Sequence, residues 1–309
     1  MQRPRITVIG SSNTDLVAKV PRLPTRGESV MGKEFIVTFG GKGANQAIAI
    51  ARIGGDVTFV AKLGMDDYGD QALSNFKKDG INTSFVFRDN DAPSGVALVL
   101  VDENGENMLA PVPGANGRLF PADIEKARIA IESADILLLQ LGVPLETVEY
   151  AITIAHGKGV PVILNPGPGR KLESRLIEKV SYITPNEAEA ETLTGIKVTD
   201  DSSAQNAGEE LLKLGAKTAI ITMGKRGAML VDSNTNELIP AFVVDAVDTT
   251  GAGDAFNGGL AYAIAGGKDI REAIRFGNAV GAIAVTGMGA QPSMPTKDKL
   301  DKFLKQLQL

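Results

Sequence analysis

Short β-rich apolar runs alternate with longer segments of helical period over most of this chain. Runs at 6–10, 57–62, 136–141, 160–164, 182–184 and 218–223 read as strands. Segments at 68–78, 121–133, 145–156, 203–214, 255–265, 270–286 and 297–307 read as helices. Alternation of this kind predicts an α/β fold. It is interrupted twice. Between 16 and 39, β-like pieces at 16–20 and 34–39 surround Pro21, Pro24 and Gly27. Between 83 and 109 the pattern is β only, with pieces at 84–87, 96–101 and 106–109 and an Asn104-Gly105 hairpin signal. These stretches predict a small sheet projecting from the main body as a lid. A further hairpin is expected through 229–231 and 238–240. No internal repeat or low-complexity tract is present.

Composition narrows the function. A chain of 309 residues, 43% hydrophobic and 22% charged, can bury a large core. A net charge of −5 argues against nucleic acid or an anionic membrane as the main partner. No apolar run reaches the roughly 18 residues of a membrane span. The run at 6–9, after Met1-Gln2-Arg3-Pro4-Arg5, is too short for a signal peptide, so a cytoplasmic protein is expected. The absence of cysteine excludes thiol nucleophiles and thiolate metal sites. The single histidine, His156, falls at the end of a helical pattern, where a cation suits the helix dipole. Proton transfer is therefore left to Asp, Glu, Lys or Tyr.

The chemistry concentrates in Asp248-Thr249-Thr250-Gly251-Ala252-Gly253-Asp254. Glycines permit a tight turn, and a small-residue helix follows. Free amides at a helix start make an anion site, and a carboxylate beside them repels the same anion. A hydroxyl nucleophile attacking an anionic electrophile needs both, a base for the proton and amides for the charge, which is the requirement of phosphoryl transfer to an alcohol. Taken alone, the motif also reads as a helix start with an acidic first turn. A second glycine-rich turn, Gly40-Gly41-Lys42-Gly43-Ala44-Asn45-Gln46, opens another small-residue helix, without the spacing of a Walker A loop. Asn13 and Asp15 follow the first strand as alternate residues and point the same way, which suits sugar hydroxyls; an Asx turn is the alternative reading. Asn186 and Glu189 stand three apart at a helix start, which suits hydrated Mg²⁺ with phosphates and equally reads as ordinary capping and surface charge. Gly224-Lys225-Arg226-Gly227 is a basic turn at a strand end, placed to meet phosphates.

The two glycine-rich patches together resemble the signatures of the ribokinase-like carbohydrate kinases. Gly10-Ser11-Ser12-Asn13-Thr14-Asp15, Thr184-Pro185-Asn186-Glu187-Ala188-Glu189 and Gly289-Ala290-Gln291-Pro292-Ser293 extend the resemblance in order over nearly the whole chain. It implies one α/β kinase domain over 1–309: a central, mostly parallel, Rossmann-like sheet flanked by helices, with a lid built from about 14–38 and about 84–112. It implies transfer of the γ-phosphoryl group of ATP to a terminal sugar hydroxyl, O5 in ribose. Asp254 is then the base, and Gly251, Ala252 and Gly253 form the anion hole. Sugar contacts fall to Asn13, Asp15, Gly41, Lys42, Asn45 and Asp254. Nucleotide contacts fall to Asn186, Glu189, Thr222, Gly224, Lys225, Gly227, Gly253 and Asn278, with Glu189 tied to Mg²⁺. A K⁺ loop maps onto Asp248, Thr250, Ala284, Gly287, Gly289 and Ser293. An open lid edge favours a homodimer.

One position departs from the family pattern. A glutamate that reaches the sugar usually follows the strand at 138–141, and this chain has Gly142. A kinase for another sugar or a nucleoside, or a catalytically silent sugar- or nucleotide-binding regulator, are the competing readings. The intact Asp254 motif opposes the last, and an aromatic content of 5% offers few walls for a nucleobase.

Overall fold

The computed structural model describes residues 3–306. Met1 and Gln2, and the expected end of the last helix at Leu307, lie outside the described residues. The large sheet is built from β1 (Arg5–Ile9), β4 (Asp56–Gly64), β5 (Asn82–Asp89), β8 (Ile136–Gln140), β9 (Val162–Asn165), β10 (Tyr182–Ile183), β11 (Thr218–Thr222), β12 (Gly227–Asp232) and β13 (Asn236–Pro240). Its nine strands run in the order β13-β12-β11-β10-β9-β8-β1-β4-β5. Every neighbouring pair from β11 to β5 is parallel, and β12 and β13 complete one edge as antiparallel strands.

Alternate residues of the central strands feed opposite faces, as the pleat dictates. Ile6, Val8, Ile136 and Leu138 enter one apolar core. Ile9, Leu137 and Leu139 enter the other. The first core lies against α1 (Lys42–Arg52), α2 (Asp67–Lys78), α9 (Ala252–Ala265), α10 (Ile270–Ala284) and α12 (Lys297–Gln306). The second lies against α3 (Pro121–Lys126), α4 (Arg128–Glu132) and α5 (Leu145–Lys158). The short α6 (Ser174–Ile177), α7 (Glu187–Thr194) and α8 (Asp201–Lys213) cover the β9–β12 end, and α11 (Ala290–Ser293) sits beside the start of α9. Among the described residues no helix is long and apolar enough to cross a membrane.

The small sheet has the order β3-β2-β6-β7, from β2 (Asn13–Lys19), β3 (Glu34–Gly40), β6 (Gly95–Val101) and β7 (Asn107–Val112). Its register places Phe35, Val37, Leu98, Met108 and Val112 on one face, all exposed. Asn13 and Asp15 stand on the opposite face.

Four expectations need correction. The β piece at 84–87 belongs to β5 of the large sheet, because α2 returns the chain parallel to β4 and Phe85 and Phe87 pack on a core. The chain changes sheets only after Asp89, whose carboxylate accepts the amides of Asp91 and Ala92 in a tight turn. The single helix expected at 121–133 is broken at Ala127. The helix expected from 255 starts at Ala252, so Asp254 lies inside its first turn. The loop expected over 287–293 contains α11.

Candidate active site

Two helix starts meet at the carboxyl end of the sheet. Gly41 precedes α1 with φ of 91°, and a Cβ there would lie 2.7 Å from the backbone of Ser12 and Asn13. Gly251 precedes α9 with φ of 79°, its Cα side against Ala290 and Met294. Both positions require a residue without a side chain in the left-handed region. The helices then pack closely, through Gly258 of α9 against Ala49 of α1. This brings Asn45 and Gln46 onto Asp254. The Asn45 Nδ2 donates to Asp254 Oδ2 at 2.8 Å, and the Gln46 Nε2 donates to Oδ1 at 3.1 Å. Burial pushes the Asp254 pKa above the ordinary carboxylate range; the charge of Lys42 and the two amides oppose this without outweighing it.

Asp254 opens onto a cavity of about 150 Å³ that Lys42, Asn165, Asn186, Glu189 and Thr222 also line. The amides of Gly251 and Gly253 have no partner among the described residues, whereas that of Ala252 donates to the Thr249 carbonyl at 3.1 Å. Across the cavity Asn186 and Glu189 form a reciprocal capping box: Asn186 Oδ1 accepts the Glu189 amide at 2.8 Å and Glu189 Oε2 accepts the Asn186 amide at 3.0 Å. The main chains of Asn186 and Thr222 pair as a parallel bridge. A Cβ on Gly167 would lie 2.5 Å from Glu189 Oε1 and 2.9 Å from Lys42 Nζ, so the bare backbone of Gly167 lets both heads approach the cavity floor. Among the described residues no cluster of three or more acidic or histidine side chains is placed to hold a metal ion directly.

The other expected positions, Asn13 and Asp15 among them, do not line this cavity. Asp15 faces Gly40, where any Cβ would overlap its carboxylate, and burial pushes its pKa up to about 6. Asn13 Oδ1 accepts from Asn116 Nδ2 at 2.8 Å. Gly224 and Lys225 form a short turn after β11, with Lys225 exposed. Gly227 is wedged on the backbone of 239–241. Asn278 does not line the cavity; its amide donates to the carbonyls of Ile239 and Pro240, both at 3.1 Å, and ties β13 to α10. Asp248 is a clamp: Oδ1 accepts the Thr250 amide and hydroxyl at 2.9 and 2.6 Å, and Oδ2 accepts the Gly289 amide at 2.8 Å. Burial pushes the Asp248 pKa up, but these hydrogen bonds outweigh it and hold the group below its usual value. Gly287 lies against Ser293, and its amide donates to the Ala284 carbonyl at 3.1 Å.

Asn165 and Asn257 line the cavity although the sequence reading gives them no role, and Thr249 of the Asp248–Asp254 motif lines it too. Asn165 ends β9, and the rule that ligands gather at the carboxyl ends of parallel strands would have flagged it. Gly142 follows β8 at the same end of the sheet but does not line the cavity. A Cβ there would lie 2.6 Å from Ser11 Oγ, so a side chain at 142 points at the Ser11 hydroxyl.

A buried carboxylate held by two amides, free helix-start amides beside it and an Asn–Glu pair across one cavity define a phosphotransferase that acts on an alcohol. The chain belongs to the pfkB family of carbohydrate kinases: the model described as pfkB family carbohydrate kinase matches residues 3–297. The chain is 40% identical over 303 residues to a ribokinase of Haemophilus influenzae, covering 98% of this chain and 99% of that one. Its fold is similar to the crystal structure of ribokinase from Thermotoga maritima (39% identity, TM-score 0.89, 97% and 99% of the two chains covered). It is similar also to Arabidopsis thaliana ribokinase complexed with ribose and ATP (31% identity, TM-score 0.92, 98% and 99% covered).

Proposed function

We propose that this chain transfers the γ-phosphoryl group of ATP to O5 of D-ribose, giving ribose 5-phosphate. The carrying observation is the placing of Asp254 between hydrogen-bonding amides of α1 and the unpartnered amides of Gly251 and Gly253. In this reading Asp254 accepts the proton of O5 as that oxygen attacks the γ-phosphorus, the bond from phosphorus to the β,γ-bridging oxygen breaks and ADP leaves, and the two free amides meet the charge on the transferring group. Asn13, Asp15, Gly41, Lys42 and Asn45 hold the sugar. Asn186, Thr222, Gly224, Lys225 and Gly227 hold the nucleotide, with Asn278 acting through β13. Full-length similarity to enzymes named ribokinase, one of them solved with ribose and ATP, supports the substrate pair.

Mg²⁺ fits the same cavity. Glu189 Oε1 has no protein partner among the described residues, which suits water-mediated contact with a hydrated cation. When bound with ATP, Mg²⁺ neutralises charge on the phosphates. For K⁺, the gathering of Asp248, Thr250, Gly287, Gly289 and Ser293 at the start of α9 supports a cation loop that orders the anion-binding amides. A cytoplasmic location and a homodimer through the exposed face of the small sheet complete the reading.

The test is ADP release by the parent and Asp254→Asn proteins over ribose, deoxyribose, fructose and adenosine. Ribose turnover by the parent, with kcat reduced about 10²–10⁴-fold in the variant, is the expected result. Near-normal turnover by Asp254→Asn removes the carboxylate from the mechanism. Turnover of another member of the panel in place of ribose leaves only the kinase class.

A further inference from the structure

We infer that Gln46 is a positioning residue for Asp254, and that Gln140 and Asn165 hold it in the one orientation that presents its amide to the carboxylate. The inference rests on Asp254 acting as the base.

Gln46 and Gln140 are fully buried, and Asn165 is 6% exposed. Burying neutral amides costs free energy unless they are hydrogen-bonded, so three together need a reason. The bonding pattern supplies one. Gln46 Nε2 is shared between Asp254 Oδ1 at 3.1 Å and Asn165 Oδ1 at 3.3 Å, while Gln46 Oε1 accepts from Gln140 Nε2. An ionised carboxylate only accepts, so the Gln46 atom that faces it must be nitrogen. The other end of Gln46 is then oxygen, and what faces that oxygen must be the Gln140 nitrogen. The charge of Asp254 thus fixes both amide orientations by elimination, whichever way the ends are assigned.

The outer members are fixed in turn. Gln140 lies against the backbone of Gly10, where a Cβ would overlap Oε1; that oxygen is left without a partner. Asn165 Nδ2 donates to the Thr184 carbonyl at 3.0 Å and lies 3.5 Å from Glu189 Oε2. Thr184 Oγ1 donates to Asn257 Oδ1 at 2.6 Å, and Asn257 Nδ2 donates to the Gly253 carbonyl at 2.8 Å. The acceptor side of the cavity, at Asp254, is therefore joined through buried amides to the nucleotide side, at Glu189. Asn45 holds one oxygen of Asp254 and Gln46 the other, so the plane of the carboxylate is set by two bonds. Each carboxylate oxygen retains a lone pair for the substrate hydroxyl.

The experiment is a double-mutant cycle in the full-length protein. Gln46→Met keeps length and removes all three hydrogen bonds of the side chain. It is expected to lower kcat about 10- to 100-fold, the scale of a misaligned reactive group, with the KM for ribose and for ATP changed less than about threefold. In an Asp254→Asn background the same substitution is expected to change kcat by less than about twofold, because its effect passes through the carboxylate. Equal fold-losses in both backgrounds, or an unchanged kcat in folded Gln46→Met, overturns the inference. Near-normal activity of Asp254→Asn alone overturns the base reading instead, and the two failures are read from different arms. Circular dichroism and thermal melting verify folding. Should Gln46→Met not fold, Gln140→Met decides: it lies beyond Gln46 from the carboxylate, and a kcat loss of about 3- to 10-fold with unchanged KM is expected. A parent-like kcat there overturns the inference.

Discussion

Asp15 and Asp254 are both carboxylates that burial holds above their ordinary pKa, and they differ in what relieves them. Asp254 has protein amides on both oxygens. Asp15 has its pKa raised to about 6 by burial alone, against about 3.9 in an unfolded chain. A pKa raised by folding contributes stability that is fully present below about pH 4 and lost as pH rises through about 6. At pH 7 the ionised Asp15 therefore opposes folding, and sugar hydroxyls would supply the missing donors. Two outcomes are expected. Asp15→Asn melts higher than the parent at pH 7.5, with the difference closing toward pH 4, while ribose binding weakens. In the parent, ribose binding at about pH 6 releases protons, measurable by calorimetry in buffers of different ionisation enthalpy. The Asp254→Asn protein is run beside it, because that carboxylate is raised too. Absence of proton release in both proteins removes Asp15 from the sugar site.

Gly142 is the second prediction at this scale. Its φ is not in the left-handed region, so strain does not require glycine there. What a side chain meets is the Ser11 hydroxyl, 2.6 Å from a Cβ at 142. Gly142→Glu is expected to lower the KM for ribose about tenfold or more, the worth of a hydrogen bond to a charged group, with kcat similar. The variant is made alone and with Ser11→Gly. An unchanged KM in both shows that the vacated space is not part of the ribose site.

At the scale of elements, the start of α9 is held from outside by Asp248. The amides of Val247 and Asp248 both donate to the Val285 carbonyl, at 2.7 and 3.2 Å, and the Asp248 carboxylate reaches Gly289. The entry to α9 is thus tied to the exit of α10. On the proposed reading K⁺ stiffens this tie without touching the sugar. Activity is expected to rise when K⁺ replaces a bulky organic cation at constant ionic strength, with the KM for ribose little changed. Equal rates leave the loop as a structural brace.

The same scale shows what was legible beforehand. Strands and helices of the large sheet follow from local periodicity, because buried parallel strands are continuous apolar runs. Which sheet a strand joins is not local: Phe85 and Phe87 alternate like lid residues, and only the return through α2 places them beside β4. Glycine-rich turns were visible because their chemistry is local. The Gln46–Asn165 and Gln46–Gln140 contacts span 119 and 94 positions and exist only once β8, β9 and α1 converge. Asn278 carries the same lesson in reverse, since its amide is bound to β13 backbone that no spacing rule reveals.

At the scale of the whole molecule, the small sheet leaves Phe35, Val37, Leu98, Met108 and Val112 exposed on one face, with Phe35 64% and Leu98 50% accessible. An apolar sheet face of this kind needs a cover. On the proposed reading the cover is the same face of a second chain. Phe35→Lys combined with Leu98→Lys is expected to shift the protein to monomer in sedimentation, with the large sheet still folded. A parent protein that already sediments as a monomer sinks the proposal.

Strand β2 carries both surfaces. Its odd-numbered residues Asn13 and Asp15 look toward the proposed sugar, and its even-numbered Leu16 and Ala18 look toward the apolar face in line with Val37 and Leu98, and with Phe35 and Leu100. Two messages are therefore interleaved in one seven-residue text, read at alternate letters. A slip of one residue would exchange them, setting carboxylate against the partner face and leucine against the sugar. Saturation mutagenesis of Asn13–Lys19 should return a two-beat rhythm: catalysis lost at one set of positions, assembly at the other.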